Sequence, residues 1–344
     1  MVRFPDRRAA SQGCPISPDR RRLLRQLAAW GSVAGFGAAV SPAWTADGLR
    51  PISVDRAAFI GLAASGESML ACGERGLLAL RETGQPDWRP IRLDTRRSFT
   101  AIAAHTEGLA VAVGHAGMIA VSRDHGRTWQ LVDDAVLKSI NPRREALLSV
   151  VIDAERRILV VGAFGVMARS LDQGRSWQTM KPFGDDFEWH LYGVTLDPVH
   201  RAWLLVGESG TLAESADGLV WREAVGPYKG SLFGAVVSRM GARIIFGMRG
   251  QIFRQSRPGT EWKNLVVPTT VAWMSGRVLN DGRIVLLGDQ DMVAVSSDDG
   301  RSFDVRKLWD GSLADAIEAP DGIWIAGVFG LRRFDTGLVP PPRG

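Results

Sequence analysis

A chain of 344 residues, of which 45% are hydrophobic and 23% charged, has enough apolar mass for a large core, which excludes general disorder. Its formal net charge of +5 comes entirely from the first 43 residues, which hold seven arginines and two acids; the remaining 35 basic and 35 acidic residues balance. A body without net charge lacks the electrostatic footprint of a nucleic-acid-binding protein, so we expect no nucleic-acid partner.

Residues 1–43 have the organisation of an export signal. A run of arginines at 20–22 precedes a weakly apolar stretch at 27–40, and small residues follow at 41–43. The order Arg-Arg-x-Leu-Leu-Arg resembles the twin-arginine signal, from which Asp19 and Leu23 depart. An ordinary secretory signal is the alternative, and both predict a periplasmic protein. The apolar stretch is shorter than the roughly 20 residues of a membrane span, although a retained N-terminal anchor stays open.

Seven repeats of about 40 to 48 residues follow this leader. Each contains a short β-type run, such as 99–105 or 147–153, and then an apolar strand that ends in Gly-x-x-Gly. The first glycines of these motifs are Gly73, Gly114, Gly162, Gly207, Gly247, Gly288 and Gly327. In the copy that starts at Gly288, Asp291 replaces the second glycine. This period is typical of one four-stranded propeller blade.

An eight-residue turn motif, Ser-x-Asp-x-Gly-x-Thr/Ser-aromatic, follows the third strand of most repeats. Three copies are intact, and their characteristic residues are Ser122, Asp124, Gly126, Trp129, Ser170, Asp172, Gly174, Trp177, Ser296, Asp298, Gly300 and Phe303. A copy at 215–221 is one residue short, a copy at 256–262 lacks the aspartate, and only Trp88 remains in the first repeat. Asp and Ser side chains bond turn backbone, Gly accepts positive φ, and the aromatic packs between blades, so we expect a structural role for these residues.

With four strands per repeat, named A to D from the centre outward, the pattern predicts an all-β fold. We expect a seven-bladed β-propeller of four-stranded antiparallel blades as a single domain over 44–336, and a disordered Pro-rich tail at 337–344. The last repeat has only three strands, near 314–317, 323–326 and 331–334. The segment 51–56 is expected to supply the missing strand, closing the ring in the last blade and leaving no sheet edge unpaired.

The seven repeats, the Gly-x-x-Gly turns and the eight-residue motif together resemble the photosystem II stability and assembly factor-like propellers, a branch of the BNR/Asp-box group. We call the eight-residue motif the Asp-box. The resemblance covers about residues 50 to 335. The resemblance implies a lumenal or periplasmic scaffold, without catalytic activity or cofactor, that binds a newly made membrane protein or membrane complex. We expect such a chain to be a monomer.

In such a propeller the B-to-C turns and D-to-A connections share one face, called here the B–C face. The Asp-boxes lie on the opposite face, called the Asp-box face. Two D-to-A connections, 133–146 and 181–190, are long, and long loops on rigid scaffolds commonly carry function. Because aromatic and arginine side chains are typical of protein-binding hot spots, the predicted partner-binding residues are Arg75, His115, Arg143, Arg144, Phe164, Phe183, Phe187, Trp189, Tyr192, Tyr228, Arg249 and Phe329. Plugging the top of the central channel is the alternative role for Phe183, Phe187 and Trp189.

An exported exo-glycosidase of the sialidase kind is the alternative function, because Asp-boxes also occur in such enzymes. It requires two positioned carboxylates, for which Glu208 and Asp289 are candidates, or a tyrosine nucleophile with an acid partner. The chain has only two tyrosines, and seven repeats exceed the six of sialidases, so we expect no catalytic residues. Among the histidines, only His115 and His190 fall on the B–C face, without the spacing of a ligand set, and we expect no metal site.

Overall fold

The computed structural model of this protein describes residues 54, 56–308 and 313–334. The predicted export signal, the possible anchor and the Pro-rich tail all lie outside these residues and stay predictions. Within the described part of the chain, no helix is both long enough and apolar enough to cross a membrane.

Continuous apolar runs form the second strand of each of seven antiparallel sheets. Ala110–Gly114 and Ile158–Gly162 are buried at every position, because each such strand has a neighbouring sheet packed on both of its faces. Burial on two sides explains why these runs lack the alternation of a half-exposed strand.

Strands A to D pair in chain order within each sheet. Blades 1 to 3 consist of β1 Phe59–Ser65, β2 Ser68–Gly73, β3 Leu77–Arg81, β4 Arg89–Arg92, β5 Phe99–Ala104, β6 Ala110–Gly114, β7 Ile119–Ser122, β8 Gln130–Leu131, β9 Leu147–Ile152, β10 Ile158–Gly162, β11 Met167–Ser170 and β12 Gln178–Met180. Blades 4 and 5 consist of β13 Leu191–Asp197, β14 Ala202–Gly207, β15 Leu212–Ser215, β16 Arg222–Glu223, β17 Leu232–Val237, β18 Arg243–Gly247, β19 Ile252–Gln255 and β20 Trp262–Asn264. Blades 6 and 7 consist of β21 Trp273–Val278, β22 Ile284–Gly288, β23 Met292–Ser296, β24 Asp304–Lys307, β25 Leu313–Ala319, β26 Gly322–Gly327 and β27 Gly330–Phe334. One short helix, α1 Asp134–Ile140, lies between β8 and β9.

The predicted seven-bladed antiparallel propeller is confirmed. Six sheets have four strands, and the seventh has three among the described residues, β25 to β27. The segment expected to complete this last blade, 51–56, falls mostly outside the described residues. Closure by an N-terminal strand therefore stays a prediction.

The core of the molecule lies between the blades. Seven hydrophobic clusters of described residues each combine side chains from two adjacent blades. The cluster that joins the last blade to the first includes Phe59 and Trp88 of blade 1 and Trp324 and Leu331 of blade 7. Trp88 and Trp324 meet edge to face, with ring centroids 5.5 Å apart. The ring is thus closed by side-chain packing of blade 1 against blade 7.

Polar side chains on the innermost strands link neighbouring blades around the channel. Thr195 Oγ1 of blade 4 donates to the carbonyl of Ala235 in blade 5 at 3.0 Å. Between blades 7 and 1 the link is a carboxylate, because Asp315 accepts from the backbone N–H of Leu62 at 2.9 Å. Asp315 also accepts from Ser275 Oγ at 2.8 Å and from the guanidinium of Arg277, both in blade 6. One carboxylate, 5% exposed, therefore joins three blades.

Close backbone contacts explain the glycines of the Gly-x-x-Gly turns. A Cβ on Gly162 would lie 2.2 Å from the carbonyl oxygen of Ala146, where no side chain fits. Gly165 has a φ of 73° and packs against Phe187. The third residue of six B-to-C turns has φ between 52° and 59°, and these residues are Arg75, Ala116, Phe164, Ser209, Arg249 and, in the turn where Asp291 replaces the second glycine, Gln290.

The Asp-boxes are closed hydrogen-bonded turns. In blade 3, Ser170 Oγ donates to Asp172 and accepts from the N–H of Gly174, both at 2.8 Å. Asp172 also accepts from the backbone N–H and the hydroxyl of Ser176 at 2.8 and 2.7 Å. The terminal aromatic, Trp177, is buried in the cluster between blades 2 and 3.

Register places the degraded box of blade 5 one residue earlier than the sequence suggests. Arg243 pairs with Gln255 as Ile158 pairs with Ser170 in blade 3, so Gln255 and not Ser256 takes the position of the serine. Gln255 is buried, and its side-chain amide donates to the carbonyl of Thr260 at 2.8 Å. A longer side chain thus holds the turn that lacks the aspartate.

Replacing the carboxylate that links blades 6, 7 and 1 is expected to destabilise the ring. Asp315→Ala removes the acceptor of Leu62, Ser275 and Arg277 and should lower the free energy of unfolding by about 3 kcal/mol. Urea denaturation measures the change. Asp186→Ala, at an exposed aspartate of a loop, is the control and should change stability by less than about 0.5 kcal/mol. Equal midpoints for the two variants would contradict this role.

The Asp-boxes should contribute to stability only above acid pH. Burial acts to raise the pKa of Asp172, but hydrogen bonds from Ser176, Ser170 and Arg175 outweigh it and lower the pKa from 3.8 to about 2. Because the folded pKa lies below the unfolded one, this stabilisation is complete above about pH 4 and is lost as the pH falls toward 2. In urea titrations from pH 5 to 2, Asp172→Asn should lose less stability than the parent protein. Asp186→Asn should follow the parent curve, and an unchanged slope in Asp172→Asn would refute the assignment.

Candidate functional site

Backbone contacts assign the turns to the two faces of the propeller. At the B–C face, the B-to-C turn of blade 1 meets the following D-to-A connection, where the N–H of Gly76 donates to the carbonyl of Arg97 at 2.7 Å. At the Asp-box face, the box of blade 2 meets an A-to-B turn, where the N–H of His125 donates to the carbonyl of Gly108 at 3.0 Å. His125 Nδ1 also lies 3.2 Å from Ser65 Oγ of blade 1.

The candidate residues of the B-to-C turns are exposed at separate blade tips. Arg75, His115 and Arg249 are exposed in blades 1, 2 and 5. Phe164 of blade 3 is 42% exposed, and Phe329 of blade 7 is 52% exposed. These five predicted residues therefore surround the channel at intervals and form no single cluster.

A continuous row of contacts joins blades 3, 4 and 5 on this face. The guanidinium of Arg143 lies over the ring of Phe164, 5.7 Å from its centroid. Phe164 contacts His190 edge to face at 4.6 Å, and His190 contacts Tyr192 at 5.8 Å. Tyr192 in turn contacts Phe233 at 5.0 Å. We call these five residues the aromatic row.

Hydrogen bonds fix the centre of the row. The backbone N–H of Phe164 donates to His190 Nδ1 at 3.0 Å, so a neutral His190 carries its proton on Nε2. The backbone N–H of His190 donates to a carboxylate oxygen of Glu208 at 3.2 Å. The tip of blade 3, the connection before blade 4 and the B-to-C turn of blade 4 are therefore held together, which presents Phe164 in a defined orientation.

Three further apolar side chains are exposed in D-to-A connections of the B–C face. Trp189 is 43% exposed and immediately precedes His190. Val225 and Val266, in the D-to-A connections after blades 4 and 5, are each 95% exposed. These valines are absent from the predicted site, because an isolated valine in a loop carries no sequence pattern.

The long connection before blade 3, predicted from the sequence only as a loop, contains a helix. Helix α1 begins after Asp133, whose side chain accepts from the N–H of Ala135 at 2.7 Å. Arg144 pairs with Asp134 at the start of this helix, and its side chain is 18% exposed. Arg143 is 63% exposed, with Glu145 3.6 Å away. Of the two predicted arginines, Arg143 therefore belongs to the aromatic row, whereas Arg144 stabilises the connection.

Three predicted aromatic residues pack inward. Phe183 and Phe187 contact each other at 4.8 Å and pack, partly buried, against the hydrophobic cluster between blades 3 and 4. Tyr228 lies 5.8 Å from Phe253 and packs against the cluster between blades 4 and 5. Their contacts are those of blade interfaces, so they support the loops that carry the exposed residues.

Phe233, which ends the row, is absent from the predicted site. It follows Leu232 as Tyr192 follows Leu191, so the repeat alignment contains the signal. Tyr192 is partly exposed, whereas Phe233 is 8% exposed, so Phe233 supports the inner end of the row and offers little surface itself.

Desolvation shifts the pKa of two ionisable groups in the B-to-C turns. Burial raises the pKa of Asp289 in the B-to-C turn of blade 6. Desolvation lowers the pKa of His115. Within the described ranges, no cluster of three or more histidine, cysteine, aspartate or glutamate residues has the arrangement to hold a metal ion.

Comparison with known proteins finds likeness in structure alone. No family model matches the chain, and no curated protein matches its sequence. A structure described as YCF48 bound to D1 peptide is 16% identical, with a TM-score of 0.65, and the match covers 82% of this chain and 93% of that one. YCF48 from Cyanidioschyzon merolae is 12% identical, with a TM-score of 0.63 and coverage of 83% and 97%.

An ancestral GH74 enzyme is 13% identical, with a TM-score of 0.65, over 83% of this chain and 46% of that one. The chain thus spans about half the length of that enzyme. At these identities the likeness establishes the fold. At the level of the fold, the two YCF48 structures confirm the resemblance to the photosystem II assembly factor propellers that the repeats predict.

Proposed function

We propose that this protein is an exported, non-catalytic propeller that binds a segment of a membrane protein and acts as its assembly or stability factor. The observation that carries the proposal is the aromatic row on the B–C face, with Arg143 over the exposed ring of Phe164. Trp189 stands exposed beside it. The predicted export signal and the balanced charge of the body agree with a protein partner outside the cytoplasm.

The geometry of the row suits a polypeptide ligand. Partly exposed aromatic rings offer large contact areas and lose little conformational entropy on binding, especially where hydrogen bonds already fix them. The N–H of Phe164 is bound to His190 and the N–H of His190 to Glu208, so the rings are preorganised. Arg143, 63% exposed, adds a donor for carboxylate or carbonyl groups of a peptide.

A propeller of the same fold supports the class of partner. YCF48 has been solved with a D1 peptide bound, so this arrangement of blades is compatible with peptide recognition. The partner proposed for this chain is likewise an accessible segment of a membrane protein. Capture experiments can identify this membrane protein.

A photo-crosslinking amino acid at position 189 should capture a membrane protein in the host cell, whereas the same probe at exposed Arg127, on the Asp-box face, should not. Phe164→Ala combined with Arg143→Ala should reduce capture at position 189 at least tenfold, because hot-spot truncations cost about 2 kcal/mol or more. Arg127→Ala is the matched control and should leave capture unchanged. Mass spectrometry identifies the product, and repeated capture of no membrane protein would count against the proposal.

The fold shared with an ancestral GH74 enzyme makes a glycosidase the second candidate. One observation favours it: burial raises the pKa of Asp289, as a general acid requires. Glu208, the other candidate carboxylate, is in blade 4 and accepts a backbone hydrogen bond from His190. We expect no turnover of aryl glycosides by the purified protein. Turnover that Glu208→Gln or Asp289→Asn abolishes would establish the enzyme and overturn the scaffold.

A further inference from the structure

The Asp-box face carries a second group of exposed apolar side chains, which the proposed function does not use. They come from four turns of blades 3, 4 and 5, and we call them the rim patch. Its members are Leu171 at 54% exposure, Val199 at 47%, Leu219 at 40%, Val220 at 64% and Met240 at 75%. Exposed apolar side chains gathered in one region mark an interaction site more often than scattered ones do.

The four turns are neighbours. A Cβ placed on Gly241, next to Met240, would lie 3.0 Å from Val199 Cγ1, so the A-to-B turns of blades 4 and 5 touch. In blade 2, Arg123 bonds to the carbonyl of Gln173 in the next box at 2.9 Å. Leu171 occupies the position of Arg123 in blade 3, on the side of its box that is directed toward the box of blade 4, which holds Leu219 and Val220.

The short box of blade 4 replaces polar residues with apolar ones while keeping its turn. Intact boxes have arginine followed by threonine or serine after the glycine, as at Arg127 and Thr128, and the hydroxyl of Thr128 donates to Asp124. In blade 4 these positions are Leu219 and Val220. Their backbone N–H groups donate to Asp217 at 2.8 and 3.0 Å, so the turn is closed without their side chains, which project into solvent.

Arginines flank every part of the rim patch. Four of them are exposed within the same turns or directly beside them, namely Arg175, Arg201, Arg222 and Arg239. None of the four forms an ion pair with a carboxylate in the described part of the chain. Three nearby carboxylates are used internally, because Asp172 and Asp217 close their boxes and Asp197 is buried with Arg243 and His200. The patch thus combines projecting apolar side chains with positive charge.

We propose that the rim patch binds an anionic lipid surface, with the five apolar side chains inserted at the headgroup boundary and the arginines on lipid phosphates. Peripheral proteins combine apolar insertion with basic side chains in this way, and each contribution alone is weak. Five side chains on four turn tips form an uneven surface, whereas a stable dimer buries about 800 Å² of closely fitting surface per partner. The rim patch lies on the face opposite the aromatic row, so its binding to lipid does not depend on the proposed client.

Flotation of the full-length protein with vesicles tests the proposal. Binding to vesicles of 30% phosphatidylglycerol in phosphatidylcholine should exceed binding to phosphatidylcholine alone. Val220→Asp combined with Met240→Asp should reduce binding to the anionic vesicles at least tenfold. The matched control is Val225→Asp combined with Val266→Asp, at apolar positions on the B–C face that are more exposed than Val220 and Met240, and it should bind as the parent does. The N-terminal segment is common to all variants, so the difference between them reports the patch.

A second pair of variants separates charge from insertion. Arg201→Gln combined with Arg239→Gln should weaken binding and reduce its dependence on salt concentration. Equal vesicle binding by the rim-patch variant and its control would overturn the proposal. So would a dimer in sedimentation that Val220→Asp dissociates, or a crosslinker at position 220 that captures a protein and no lipid. Unchanged urea midpoints verify that the variants are folded.

Discussion

The closed ring depends on the contact between its first and last blades, which are distant in sequence. Apolar packing, such as that of Trp88 against Trp324, joins these two blades, but packing alone is weakly directional. Asp315 adds direction, because its buried carboxylate accepts from blade 1 and blade 6 at once. A buried charge without partners is costly, so the arrangement is satisfied only when three blades are in register.

The sequence predicts the number and order of the blades because the repeated signals have local causes. Gly162 is fixed by a carbonyl oxygen 2.2 Å from its missing Cβ, and the same contact recurs in other blades. Where the cause is not local, prediction fails. Gln255 replaces a box serine that only strand register identifies, and helix α1 has seven residues, too few for a periodic pattern. The face of each candidate residue is predictable, but its neighbours are not: Phe164 and Phe187 look alike in sequence, and tertiary packing alone turns one outward and the other inward.

The two faces of the propeller differ in how they expose apolar groups. On the B–C face, exposed rings are braced by each other and by hydrogen bonds from Phe164 and His190, as suits recognition of a defined shape. On the Asp-box face, Val220 and Met240 project singly from turn tips, as suits a fluid surface that adapts to them. In these two proposals, one rigid propeller binds a client on the B–C face and attaches through the Asp-box face to the membrane that contains the client.

The left-handed residue at the tip of six B-to-C turns has a consequence for what each blade can present to a ligand. A residue that is not β-branched has a backbone cost there of about 1–2 kcal/mol, and in five of the six turns the glycines on both sides take the close contacts. The six residues found differ in size and charge, and none is β-branched, the type that tolerates this conformation least. These tips therefore accept different side chains on an unchanged scaffold, so each blade can offer a different contact.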